Sequence, residues 1–397
     1  MNLYISKSGL SDKNIVVDDM ILTKNLPTSA GSKMLDGYMS LFEAEAVTRL
    51  NSAGYNICGK ANTGELNIDL LGETSYYGAC TDDSGNLVKA AAEIVKSKEA
   101  MAGITLEVNG SMIRGASLSG LVCLKPTYGT VSRFGTIPAA CSGEVVGVMA
   151  ETASTCREIF SVIAGHDEKD GTSLPEDRCN IAKSDIKPIK KIAVAKAITD
   201  TADDETKALI EAFKAKVTDA EFVEIDAKEL LLAKSAWNTL MSAELCNNVS
   251  KYDGVKYGHR TENYTTIDEL YTNSRTESFG YLLKSTILYG SERLSTENYM
   301  PYYDKALRIR RILSEYLYNL LGEYDAILLP ACSKRAYSEK DAEQNKYIAY
   351  EESLYTAITA ITGFPAIVTN GVQLIGNALS DNSLLELADK LDKEGGI

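Results

Sequence analysis

The 397 residues are enough for one large domain or two medium ones, and 45% hydrophobic and 24% charged residues describe an ordinary folded chain. A formal charge of −14 argues against direct, tight, charge-driven nucleic-acid binding. No apolar run nears the roughly 20 residues that span a bilayer, and the N-terminus lacks the basic start and apolar centre of a signal peptide. No membrane association and a cytoplasmic location are therefore expected. The eight cysteines are scattered and form no C-x-x-C pair, and only His166 and His259 stand beside them. Reduced thiols are expected, with no zinc or disulfide framework and no cofactor.

Taken in chain order, residues 40–54 read as an amphipathic helix with Phe42, Ala46, Val47 and Leu50 at helical spacing and Gly54 as its stop. Residues 55–58 suit a short strand, 87–98 a helix, and 104–108 a strand leading into a serine turn. A helix is predicted at 151–165, then a charged, turn-rich connector at 167–190. Strands follow at 191–196 and 221–225, with a helix at 203–217 between them. Long helical patterns cover 228–251 and 297–321, and 326–329 is a buried strand closed by Pro330. The tail holds a helix at 350–361, strands at 366–368 and 372–374, and a helix at 383–391. This alternation favours an α/β fold with a central mixed, mostly parallel sheet covered by helices on both faces. There is no internal repeat, so residues 1–397 are read as a single domain, with 167–190 an excursion from it.

The stretch 108–135, V-N-G-S-M-I-R-G-A-S-L-S-G-L-V-C-L-K-P-T-Y-G-T-V-S-R-F-G, carries the chemistry. Gly110 lets the backbone turn sharply before Ser111, so a hydroxyl is presented on a turn whose N–H groups suit an oxyanion. The other reading of the same residues is a Ser/Gly-rich loop between core elements.

The run L-K-P-T-Y-G-T-V-S-R-F-G resembles the signature region of the amidase-signature family, in particular the A subunits of glutamyl-tRNA(Gln)/aspartyl-tRNA(Asn) amidotransferases. So do S-K-M-L at 32–35, G-K-A-N-T at 59–63, I-A-G-H-D at 163–167, Y-D-G-V-K-Y-G at 252–258, E-L-Y-T-N-S-R-T-E-S-F-G at 269–280 and G-V-Q-L-I-G at 371–376. The helical segment that precedes the family's first strand has no counterpart here, as in an N-terminally shortened copy.

The resemblance implies a serine nucleophile, a second serine in a cis peptide, and a lysine that takes the proton through that bridging serine. It places Ser111 at the nucleophile position, but the Thr-Gly-Gly before it has become Val108-Asn109-Gly110. Ser84, in T-D-D-S-G-N-L-V-K-A-A-A, matches the bridging serine, although D-D-S-G-N is also an ordinary turn. The lysine position falls on Asp18, in Val17-Asp18-Asp19-Met20, and a carboxylate is a poor base for a hydroxyl. Lys13 and Lys24 are the nearest basic residues in sequence; read without the resemblance, Asp18 and Asp19 form a solvated strand end.

The arginines that hold the substrate carboxylate match Ser285 and Thr286, and the acidic residue for its ammonium falls near Ser353, beside Glu352. A hydroxyl cannot reproduce the two parallel hydrogen bonds of a guanidinium. The resemblance thus implies a catalytically impaired binding or scaffold protein, with the amidotransferase B and C subunits as possible partners. The alternative is a functional A subunit or amidase with a rearranged serine-based site. No metal is implied.

Overall fold

Short apolar runs bounded by turns become strands, several of them buried along their whole length, among them A-G-I-T-L-E and V-V-G-V-M-A. The structure, a computed structural model, describes residues 2–179 and 186–395. Its strands are β1 (Tyr4–Lys7), β2 (Asn14–Asp18), β3 (Asn56–Ala61), β4 (Ala102–Glu107), β5 (Val122–Lys125), β6 (Val145–Ala150), β7 (Lys191–Ala195), β8 (Glu221–Ile225), β9 (Ala326–Pro330), β10 (Ala366–Thr369) and β11 (Val372–Gly376). They form one sheet in the order β1-β3-β2-β4-β6-β5-β10-β11-β9-β7-β8. The sheet is mixed. Parallel pairs, β3–β2–β4 and β9–β7–β8, lie toward its two ends, and antiparallel pairs run through its centre from β4 to β9. The parallel share is smaller than strand–helix alternation alone implies, because hairpins build the middle. One of these, β10–β11, turns on Asn370 and Gly371, both with positive φ (51° and 76°), as a two-residue hairpin loop requires.

The helices that position the site are α1 (Glu45–Ser52), α2 (Ala90–Lys96), α3 (Ser111–Ser119), α4 (Ala153–Ile163), α5 (Asp204–Lys216), α6 (Leu232–Asn248), α7 (Ile267–Ser278), α8 (Tyr281–Arg293), α9 (Lys305–Glu323), α10 (Ile348–Glu352), α11 (Ala357–Thr362) and α12 (Asp381–Lys393). They cover both faces of the sheet, and the period of two along β2 shows how. Ile15 and Val17 join the core that contains Phe160 of α4, while Val16 joins the one that contains Ile94 of α2 and Met112 of α3.

Several boundaries differ from the sequence reading. The helix predicted at 40–54 starts only at Glu45, because Ala44 is extended; Phe42 lies outside it and stacks on Phe134 at 5.2 Å. The helix predicted at 350–361 is two, α10 and α11. Helix α7 occupies residues read only as a motif, and α8 those matched through the resemblance to a helix whose arginines fall at Ser285 and Thr286. Helix α7 buries little apolar surface, so its period is weak, and it is anchored instead by a capping box between Thr266 and Glu269. Of the predicted connector at 167–190, residues 180–185 lie outside the described residues.

Helices α6 and α8 touch where α8 has Gly290: a Cβ there would lie 2.0 Å from the Ser242 carbonyl oxygen. Gly290→Ala should therefore force the two helices apart and cost about 1–3 kcal/mol, as overpacking does. Gly322→Ala, in α9 with nothing within 4 Å of the added carbon, should be neutral or stabilising by up to about 1 kcal/mol. Urea unfolding of the two variants beside the parent checks this contrast.

Candidate active site

Strand β4 runs into Val108-Asn109-Gly110, and Ser111 then opens helix α3. The hydroxyl does follow a strand and a sharp turn, but the residues after it are helical rather than loop. Gly110 makes this possible with φ of 122°, and a Cβ there would meet Thr356 Oγ1 at 2.2 Å. Thr356 Oγ1 donates to the Asn109 carbonyl at 2.6 Å and pins the turn from α11's side. The first N–H groups of a helix have no partner within it. Here Glu107 supplies one acceptor: its Oε2 takes the Met112 N–H at 2.8 Å. Val108 is fully buried and Asn109 nearly so.

Ser111 Oγ donates to Asn67 Oδ1 at 3.1 Å. The same oxygen accepts from Thr63 Oγ1 at 2.7 Å and from Lys89 Nζ at 3.0 Å. The amide orientation is fixed from its other end, where Nδ2 donates to Asp18 Oδ2 at 3.1 Å and to the Leu106 carbonyl. Lys89 Nζ has three acceptors, Asp18 Oδ2 at 2.9 Å, Asn67 Oδ1 at 3.0 Å and Thr63 Oγ1 at 3.3 Å. That is the full donor complement of an ammonium.

Asp18 is thus no solvated strand end. It is completely buried at the end of β2 and ion-paired with Lys89, because α2 begins beside it in space. Asp19 is buried as well, accepting from the Ser29 N–H at 2.8 Å and facing Lys60 Nζ at 3.5 Å. Burial pushes both carboxyls above their usual range, and Lys89 and Lys60 pull them back. Burial also lowers Lys60 to about 8 and raises Glu107 to about 7.

The other sequence candidates separate from this cluster. Ser84 is exposed, on a turn where its N–H donates to Asp82 Oδ1 at 2.9 Å, and it is not brought to Ser111. Lys13 and Lys24 are exposed too. No peptide bond among the described residues is cis. Thr286 is buried and donates to the Leu282 carbonyl at 2.8 Å; Ser353 donates to the Tyr350 carbonyl at 2.7 Å and accepts from Asn238 Nδ2 at 2.9 Å. Glu352, beside it, lies 3.5 Å from Arg114 Nε, both side chains fully buried. Ser285 and Thr286 do meet the serine turn: with Asn109 they line one cleft of about 380 Å³. Asn67 lies outside every run read in the sequence, and Thr63 and Lys89 lie inside such runs, at 59–63 and 81–92, with no role assigned to them. Lys89 stood in the run K-A-A-A that follows Ser84, and its distance from Ser111 along the chain hid it.

Residues 7–385 match the amidase family. The chain belongs to the amidase family. This amidase-family chain is 34% identical over 393 residues to the A subunit of the glutamyl-tRNA(Gln) amidotransferase of Acinetobacter baumannii, covering 93% of this chain and 80% of that one. It is 32% identical over 408 residues to the A subunit of the Coxiella burnetii enzyme, covering 98% and 84%. In fold it is similar to the crystal structure of the glutamyl-tRNA(Gln) amidotransferase A subunit from Thermotoga maritima, with a TM-score of 0.79, 24% identity, and 98% and 87% of the two chains covered. The Kluyveromyces lactis allophanate hydrolase gives 0.79 at 21% identity, covering 98% and 66%. Among the described residues, no helix is long and apolar enough to cross a membrane.

Two measurements probe the electrostatics. Lys89→Met leaves Asp18 buried without its cation, and breaking a buried pair costs about 3–5 kcal/mol. Asp18's folded pKa, already raised, rises further in this variant, so the deficit should be largest at neutral pH and shrink as acid protonates Asp18. Chemical denaturation at several pH values reads this, and Asp18→Asn in the same chain should recover part of the loss.

Glu107 is the second. A carboxyl raised from 4.5 to about 7 on folding favours the folded state most below pH 4.5, and that contribution is lost as pH rises through 7. Glu107→Gln keeps an acceptor for the Met112 N–H, and its stability should vary less with pH across that window.

Proposed function

We propose that this chain is an amidase-family protein of the amidotransferase A-subunit type that has given up glutamine hydrolysis and acts in binding or as a scaffold. One observation carries the reading: the Ser111 hydroxyl donates to Asn67 Oδ1. An amide oxygen is not a base at neutral pH, so this hydrogen bond orients the hydroxyl without activating it. The amine that shares this acceptor, on Lys89, directs its N–H groups at Asp18, Asn67 and Thr63 rather than at Ser111. Ser285 and Thr286 turn their hydroxyl protons back onto their own helix, to the carbonyls of Tyr281 and Leu282, and offer no carboxylate clamp.

The names of the relatives support partners of the amidotransferase type, and we infer association with the B and C subunits. Acidic charge supports the absence of tight tRNA binding by the isolated chain, and the reading places the protein in the cytoplasm as one domain over 1–397. A second reading has one specific observation in its favour. Lys89 Nζ and Ser111 Oγ share Asn67 Oδ1, so a serine–lysine site rearranged around Asn67 needs only a small movement.

The test is ammonia release from glutamine by the purified chain, with and without the B and C subunits, beside Ser111→Ala and Lys89→Met. No release above the Ser111→Ala background is expected. General-base assistance is worth about 10²–10⁴-fold, so its loss is well within assay range. Turnover that disappears in both variants would establish the rearranged site instead.

A further inference from the structure

We propose that the free edge of β8 takes up an extended, basic protein segment as an added strand. The proposal lies outside the Ser111 site and holds whether or not that serine turns over.

Strand β8 ends the sheet and pairs only with β7. The Glu221 N–H donates to the Lys190 carbonyl at 2.7 Å, so Glu221, Val223 and Ile225 direct their backbone groups at β7. Phe222 and Glu224, out of phase with them, direct theirs outward, and among the described residues no turn, loop or cap answers them. The open stretch ends where the Asp226 carbonyl accepts the Ala197 N–H at 3.0 Å.

The opposite edge of the sheet is guarded. Strand β1 has a register shift between Tyr4 and Ser6 and ends in Lys7, two features that discourage further pairing. Strand β8 keeps its register with β7 over all 5 residues and contains neither proline nor lysine. Its side chains also hold it in place: Phe222 meets Phe213 of α5 edge-on at 6.3 Å, and Val223 and Ile225 pack on the core. The edge is therefore a firm template for main-chain hydrogen bonds.

Charge names the occupant. Residues 219–229 hold five carboxylates, Asp219, Glu221, Glu224, Asp226 and Glu229, against one cation, Lys228. Asp219 is ion-paired with Lys190 and Lys390, and Asp226 with Lys228. Glu221 and Glu224 are exposed and belong to no ion pair of the described residues. A second copy of this chain laid on the edge would set four such glutamates along one seam, and like charges across a strand pair repel. A segment carrying lysines or arginines meets them with the opposite sign. Side chains alternate between the two faces of a strand, so Glu221 and Glu224 point to opposite faces. The matching cations must have the same spacing, as in K-x-x-K with β-branched residues between them.

The experiment titrates the full-length chain into the fluorescein-labelled peptide T-K-V-V-K-T at physiological salt. Anisotropy reads binding, and hydrogen exchange over residues 219–227 reads strand addition. Saturable binding with slowed exchange in that segment is expected. The respaced peptide T-K-V-K-V-T, with both cations on one face, should bind roughly threefold more weakly. N-methylation of both valines keeps the charge and blocks pairing, so that peptide should bind no better than T-E-V-V-E-T. Glu221→Gln with Glu224→Gln, both at exposed positions, should weaken binding roughly tenfold. Glu224→Pro removes an outward N–H and none of the bonds to β7, and should weaken binding beyond Glu224→Gln. No binding of T-K-V-V-K-T, equal binding of the N-methylated or respaced peptide, or unchanged exchange over 219–227 would overturn the proposal and leave the glutamates as a guard on the edge. A dimer in sedimentation that Glu224→Pro dissolves would overturn it in favour of a second copy.

Discussion

One side-chain amide holds the centre of this molecule together. Asn67 joins the end of β2 through Asp18, the end of β4 through the Leu106 carbonyl, the entry to α2 through Lys89, and the start of α3 through Ser111. Its own backbone is costly, for Leu66 and Asn67 both have positive φ, at 52° and 55°. Two successive non-glycine residues in the left-handed region persist only where surrounding contacts determine them. Here the five hydrogen bonds of the amide do so, and every one of them is to a buried group. If the amide flipped, its nitrogen would face an ammonium and two hydroxyls while its oxygen faced a carboxylate and a carbonyl. Chemistry therefore allows one orientation.

Around this amide the fold buries charges in opposite-signed neighbours. Asp18 has Lys89, Asp19 has Lys60, and Arg114 has Glu352. Such pairs are poor evidence of net stability, because desolvation offsets much of their attraction. They do fix geometry, since a member that moves leaves its partner unpaired in a medium of low dielectric constant. Position 18, where the resemblance carries a lysine, has a carboxylate, and an amine reaches the same place from Lys89. A cation and an anion face each other there, the anion from the end of β2 and the cation from the entry to α2.

How much of this was legible in the sequence follows from range. The strands were legible because apolar runs such as Ile192–Ala195 and Ala326–Leu329 depend only on local pattern. Ser111 was legible because its turn and the motif that follows are contiguous. Lys89 and Asn67 were not, since neither type nor spacing marks a residue whose meaning comes from a partner on another element. Asp18 was misread as solvated for the same reason: a carboxylate at a strand end looks exposed until the helix bringing its lysine is in place. Helices α7 and α8 were hidden from local pattern, α8 being marked only through the resemblance, because one relies on a cap and the other packs through a glycine, and neither leaves a clean apolar period.

The carboxylate at the start of α3 has a wider consequence. A helix N-terminus carries roughly half a positive charge, and a serine seated there ordinarily draws on that field when its partner becomes an oxyanion. Glu107 spends part of this field in the resting protein, because a Met112 N–H already points at its Oε2. A negative charge forming beside Ser111 would find the Met112 N–H already engaged by a carboxyl four residues upstream, one that burial raises to about 7 and so holds between its charged and neutral forms near neutral pH. The field that this helix end can offer to an anion is therefore tied to the protonation of one buried carboxyl, which makes Glu107 a control on the turn as well as a part of it.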